Sequence, residues 1–148
     1  MSITGLDHIA LPTANAERLL AFYEAHGFGL VGVDEWRAGT TLIFSIVCGD
    51  QKINVHPEAL AASRSNPAYL RGTTAEPGCG DVCVVWTGGV AALLDLLRFN
   101  STPVLSGPVR RVGGHAGGTA LGVSVYVRDP DDNLLEFISY DPVDLETH

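Results

Sequence analysis

A chain of 148 residues with 46% hydrophobic content is long enough to bury a core and short enough for a single domain over 1–148. Its formal charge of -8 excludes nucleic acid and anionic membrane surfaces as partners, since both would repel it, and leaves a small molecule as the expected ligand. No run approaches the roughly 20 apolar residues of a membrane span, and the opening "MSITGLDHIAL" lacks the basic stretch and apolar run of a leader, so a soluble cytoplasmic protein is expected.

In chain order, "GLDHIALP" reads as a short strand. "NAERLLAFYEAHGF" reads as a helix with Leu19, Leu20, Phe22 and Tyr23 along its apolar stripe, Asn15 as N-cap and Gly27 as stop. His26 in the last turn suits the negative end of the helix dipole. Three strand-like runs follow, "FGLVGVDEW", "GTTLIFSIVC" and "QKINVHP", separated by Gly and acidic turns. "EALAASRSNPAYLRGTTAEPGCG" reads as a short helix plus linker. Then "DVCVVW" is a strand, "GVAALLDLLRFN" a helix, and "TPVLSGPVRRV", "ALGVSVYVRDP" and "NLLEFISY" are strands. Cys48, Cys79 and Cys83 lie in or beside these runs, odd in number and without a Cys-x-x-Cys pair. They read as reduced core thiols, neither a disulfide framework nor a metal site.

The order β-α-β-β-β thus occurs twice: module one over about 4–57, a linker over about 58–79, and module two over about 80–141. His8 falls on Asp81 at an offset of 73 residues, and His56 on Glu136 at an offset of 80. Glu136 is the residue that needs explaining. It shares a strand face with Leu134 and Ile138, while Leu135 and Phe137 point the other way, and a carboxylate between apolar faces requires a partner or a cation. Side-by-side packing of the modules would let His8, His56, Asp81 and Glu136 converge. Two nitrogen and two oxygen donors suit a divalent Zn, Ni, Co, Mn or Fe ion.

The stretches "DHIAL", "FYEAHGF", "KINVHP", "GDVCVVW", "GPVRR" and "YVRDPDDNLLEFISY" together resemble the vicinal oxygen chelate superfamily, which includes glyoxalase I, methylmalonyl-CoA epimerase, extradiol dioxygenases, fosfomycin-resistance enzymes and bleomycin-binding proteins. The resemblance covers nearly the whole chain and is closest to small glyoxalase-domain proteins. It implies an α+β fold of two tandem βαβββ modules forming a U-shaped, mostly antiparallel sheet around a central cavity. It also implies one divalent metal held by His8, His56 and Glu136, and a homodimer. Asp81 departs from the His usual at its place, so it either binds the metal or orients a water or a neighbouring ligand. Asp132 stands where many members have Gly and is expected to adopt the left-handed turn conformation.

Such a site suits a glyoxalase- or epimerase-like lyase or isomerase acting on a small molecule with adjacent oxygens, with Glu136 as catalytic base or ligand. The alternatives are an extradiol-type dioxygenase, which Asp81 disfavours, and a metal-free drug-binding resistance protein, which has no need of two His at ligand positions. Phe44, Trp86 and Tyr126 sit in strands and are candidates to contact substrate. His115 lies in the glycine-rich "GGHAGGTALG" and is a further candidate at the mouth of the site. That loop lacks the context of a phosphate-binding loop. Arg110 and Arg111 read as solvated surface that could meet an anionic substrate.

Overall fold

The computed structural model of the protein describes residues 2–63, 66 and 69–148. It divides into two compact units, 1–79 with 130–132, and 80–129 with 133–148. Arg64, Ser65, Pro67 and Ala68 of the expected linker lie outside the described residues.

The first unit contains β1 (His8–Pro12), α1 (Ala16–Ala25), β2 (Gly29–Val31), α2 (Val33–Arg37), β3 (Phe44–Cys48), β4 (Gln51–His56) and α3 (Glu58–Ala62). Its sheet runs β1-β4-β3-β2, with β1 parallel to β4 and the other pairs antiparallel. Asn15 caps α1 as expected, its side chain accepting from Arg18 N at 2.9 Å. Glu58 at the start of α3 supplies a second acceptor, taking the N–H of Ala16 at 2.9 Å. Leu19, Leu20 and Tyr23 of α1 and Phe44, Ile46, Ile53 and Val55 of the sheet form the buried core of this unit. The turn after α1 uses Gly27 at φ 87°. His26, 3% exposed, holds a ring nitrogen 2.6 Å from the Phe22 carbonyl, so it closes the helix by a local hydrogen bond.

One expected strand is corrected here. "FGLVGVDEW" is strand only over Gly29–Val31, because Gly32 turns left-handed at φ 77° and starts α2. Asp34 and Glu35 in the first turn and Arg37 in the last then match the helix dipole.

The second unit contains β5 (Asp81–Trp86), α4 (Gly89–Phe99), β6 (Ser106–Gly113), α5 (His115–Gly118), β7 (Ala120–Arg128), β8 (Leu134–Ser139) and α6 (Pro142–Thr147). Its sheet order β5-β8-β7-β6 repeats that of the first, again with one parallel pair, β5 and β8. The duplicated βαβββ plan and the α+β class are therefore both present. Val90, Leu93 and Leu97 of α4 and Val123, Val125, Val127, Leu135 and Phe137 of the sheet are its buried core. Helix α6 was not expected, although Asp141 followed by Pro142 is a cap and first-turn pair. All three cysteines are free, but only Cys48 is partly covered, so Cys79 and Cys83 are not core thiols. Among the described residues no helix is long and apolar enough to cross a membrane.

Candidate functional site

Glu136 is positioned by the turn that precedes β8. Asn133 donates its backbone N–H to Asp129 Oδ1 at 3.0 Å and its amide to Asp129 Oδ2 at 2.8 Å, while Gly80 N donates to Asn133 Oδ1 at 2.7 Å. Asp132 adopts φ 69°, the left-handed conformation expected of it. This network joins the start of β8 to the start of β5. Asp81 consequently stands opposite Leu134, and Cys83 opposite Glu136. On the other flank Tyr126 of β7 stands opposite Glu136.

One face of this sheet therefore carries Asp81, Cys83, Glu136, Ser124 and Tyr126. The opposite face holds the buried Leu135 and Phe137. On the site face Cys83 is exposed and Glu136 half-buried, whereas Ile138 two positions on and Ser124 beside it are buried. Ser124, fully buried, donates its hydroxyl to Glu136 Oε1 at 2.5 Å. Arg111 Nε donates to the Tyr126 hydroxyl at 3.2 Å, and the guanidinium carbon lies 5.8 Å from the centre of that ring. Arg111 is thereby drawn from plain surface onto the site face. Surrounding protein and then the Glu136 carboxylate push the Cys83 thiol up to about 12. Burial likewise raises the Tyr126 phenol; Glu136 adds to that rise, and Arg111 opposes it.

In the first sheet, Lys52 stands opposite His8, Asn54 opposite Ala10 and His56 opposite Pro12. Ser45, opposite Asn54, donates its hydroxyl to Asn54 Oδ1 at 2.8 Å. Two positions after His8 the facing residue is Asn54; two positions after Asp81 it is Glu136. The repeat mate of Glu136 is therefore Asn54, at an offset of 82 residues, and the offset of 80 that paired Glu136 with His56 is corrected. Matching by titratable side chain overrides the ladder, whose register no local sequence pattern encodes.

His8 and His56 share a face but lie four positions apart on paired strands, about 13 Å along the sheet, so module one does not bring them together. His8 holds Nδ1 2.6 Å from Asp7 Oδ1 on the surface. His56 titrates below its ordinary value because of burial and the positive charge of Arg71. A neighbouring guanidinium also makes it a poor donor to a second cation. Among the described residues no three His, Cys, Asp or Glu side chains form a ready metal cluster.

The expected substrate contacts divide in two. Tyr126 lies on the site face, as described. Phe44 is 1% exposed, with its ring 4.9 Å from that of Trp36, and belongs to the core of module one. Trp86 lies on the opposite face from Cys83, donating to the Gly89 carbonyl at 2.8 Å and meeting Phe137 edge-on. Strand alternation makes both assignments, since each is one position from a site-face residue. His115 stacks on Tyr140 with ring centres 4.1 Å apart, and its backbone N–H donates to the Tyr140 hydroxyl at 3.4 Å. Unanticipated in the sequence is a cavity of about 340 Å³ in module one, lined by Trp36, Leu42, Pro57, Leu60 and Tyr69 among others.

The family model of the Glyoxalase/Bleomycin resistance protein/Dioxygenase superfamily matches residues 5–137. The chain is 32% identical over 140 residues to the glyoxalase domain-containing protein RDO1 of Mycosarcoma maydis, covering 95% of this chain and 70% of that protein. It is 29% identical over 141 residues to the virulence protein STM3117 of Salmonella typhimurium, covering 95% of this chain and 87% of that one. The crystal structure of STM3117 superposes with a TM-score of 0.77 at 27% identity, over 95% of this chain and all (100%) of the other.

Proposed function

Because the chain belongs to the Glyoxalase/Bleomycin resistance protein/Dioxygenase superfamily, we propose that it is a divalent-metal-dependent lyase or isomerase acting on a small molecule with adjacent oxygens. The observation that carries this reading is the company kept by Glu136. Its neighbours are a thiol, a hydroxyl and a phenol, and no ion pair among the described residues reaches it. A half-buried carboxylate so placed is stabilised by a bound cation. That donor chemistry fits Zn, Ni, Co, Mn or Fe, with Glu136 and Asp81 as oxygen donors of module two. Module one holds His8 and Asn54 at the corresponding ladder positions.

When bound, the metal supplies polarisation of a carbonyl or enediolate oxygen. The chain's own residues hold and move the proton. Ser124 fixes one oxygen of Glu136, which leaves the carboxylate oriented to act as base beside a carbonyl. Tyr126, kept protonated by burial, can donate from its hydroxyl to substrate oxygen. The protein is further proposed to act in the cytoplasm, where its three free cysteines stay reduced, and as a homodimer, which a monomeric sedimentation coefficient at micromolar concentration would exclude.

The test is metal analysis of gently purified protein, followed by turnover assays with vicinal dicarbonyls and 2-hydroxy carbonyl compounds. About one divalent ion per chain, lost in Glu136→Gln together with turnover, is the expected result. A chain that takes up no metal on titration, yet binds an apolar drug stoichiometrically, would overturn the enzyme reading in favour of a binding protein.

A further inference from the structure

We propose that Arg111 is a specificity-determining residue of the site on the second unit, its guanidinium receiving an anionic oxygen group of the substrate, a carboxylate or a phosphate, beside Tyr126. As an anion site it stands on the second unit alone; as a statement about substrate it rests on the enzyme reading above.

The two consecutive arginines of β6 face opposite ways. Arg110 stands opposite Val123, and its Nη2 donates to the Leu145 carbonyl of α6 at 2.6 Å, so it is occupied in holding that helix. Arg111 stands opposite Gly122, two positions from Ser124, and therefore on the face that carries Ser124, Tyr126 and Glu136. Its guanidinium is held there by Nε donating to the Tyr126 hydroxyl at 3.2 Å and Nη1 donating to the Arg110 carbonyl at 3.0 Å. Both acceptors are neutral. A guanidinium carries a fork of N–H donors and keeps its charge at any accessible pH, so these bonds orient it and leave the charge uncompensated. Arg37 and Arg98, exposed like Arg111, each take a carboxylate at 2.6 Å, from Glu17 and Asp95. Acids outnumber bases in this chain by 17 to 9, yet no ion pair among the described residues includes Arg111. An oriented, unpaired guanidinium open to solvent on the site face recognises an anionic oxygen group.

Its surroundings favour that partner. The residue across from Arg111 offers it no acceptor side chain: a Cβ on Gly122 would come within 2.7 Å of Ile138 Cγ1, so hydrocarbon fills that place. An apolar flank strengthens an ion pair formed beside it. Tyr126 stands opposite Glu136 on the neighbouring strand, about 5 Å away, and Arg111 is one hydrogen bond beyond the phenol. A carbonyl oxygen taken by the Tyr126 hydroxyl, with its neighbouring carbon toward Glu136, would thus direct an adjacent anionic substituent at Arg111. The substrate class is then a hydroxy- or oxo-acid, or a phosphorylated carbonyl compound, rather than a neutral dicarbonyl.

The probes are inorganic phosphate and pyruvate, with hydroxyacetone as a neutral counterpart, titrated into the full chain while the Arg111 Nε–H and Tyr126 ring signals are followed by NMR. Saturable shifts of both signals are expected with at least one anion, at concentrations where hydroxyacetone moves neither. Affinity for the anion is expected to fall roughly tenfold or more in Arg111→Gln, to be partly retained in Arg111→Lys and to be unchanged in Arg110→Gln. Unmoved signals in the native chain, equal saturation by hydroxyacetone, or equal affinity in Arg111→Gln would overturn the site. An equal loss in Arg110→Gln would overturn it too, since diffuse positive charge would then suffice. The native titration decides the matter even if a variant does not fold. Metal content measured on the same samples separates the two proposals: metal without anion binding overturns this one alone, and anion binding without metal overturns only the other.

Discussion

Asn54 in the first sheet holds the ladder position that Glu136 holds in the second, each facing the residue two places into its parallel neighbour strand. Each also accepts a serine hydroxyl, from Ser45 at 2.8 Å and from Ser124 at 2.5 Å. The duplicated architecture has therefore kept a hydrogen-bonded side-chain oxygen at both places while retaining the negative charge at only one. Glu136→Gln is expected to weaken metal binding about tenfold or more. His56→Ala is expected to leave it unchanged. Calorimetric titration with the native metal checks both, and a loss confined to His56→Ala would reverse the assignment.

The Cys83 thiol provides a reporter of the charge on Glu136. With its pKa pushed up to about 12, it holds far less thiolate at neutral pH than an ordinary cysteine. Alkylation of metal-free protein at pH 8 is therefore expected to modify exposed Cys79 first and Cys83 much later. The sign for the variant follows directly. Removing the carboxylate in Glu136→Gln removes one of the groups that disfavour the thiolate, so Cys83 should react faster. Mass-spectrometric time courses check this, and a slower reaction in the variant would show that Glu136 is not ionised beside the thiol.

How far the sequence could be read depended on which physical rule governed each residue. Strands and both long helices followed from apolar periodicity, because Leu19, Leu20 and Tyr23, and likewise Val90, Leu93 and Leu97, are buried stripes. The turn at Asp132 is expected from the resemblance, which places Gly there, and Asp admits the same left-handed backbone. The site was less legible. Register between β1 and β4 depends on pairing that no local pattern encodes, so His56 was matched to Glu136 where Asn54 belongs. Facing was lost in the same way: Phe44 and Trp86 are aromatic and in strands, but an odd number of positions separates them from the site face. Ser124 gave no warning either, since its role is visible only once β7 lies beside β8.

Asp132 at φ 69° makes a second kind of test, on the backbone that carries Glu136. Asp132→Gly is expected to be near neutral, because relief of the left-handed strain offsets the added freedom of the unfolded chain. Asp132→Val is expected to cost about 1–2 kcal/mol, since a β-branched residue is poorly tolerated there. Urea denaturation of the two variants measures the difference. Equal midpoints would mean that the turn does not hold this conformation.

Asp144 offers the strongest structural prediction outside the site. Buried at 6% exposure in α6, it takes the Val90 N–H at the start of α4 at 3.0 and 3.1 Å through its two carboxylate oxygens. It also accepts the Ser139 hydroxyl at 2.5 Å. The short helix α6 thus supplies from a distance the cap that α4 lacks, for Gly88 at its N-cap has no side chain to do so. Asp144→Ala removes the acceptor from two buried donors and should destabilise the protein by about 2–3 kcal/mol. A fall of roughly 5 °C or more in Tm is the corresponding thermal signature. Asp144→Asn keeps one acceptor oxygen and should lose about half as much. If α6 were an ornament on the second unit, both variants would melt with the native chain, and differential scanning calorimetry distinguishes the two outcomes.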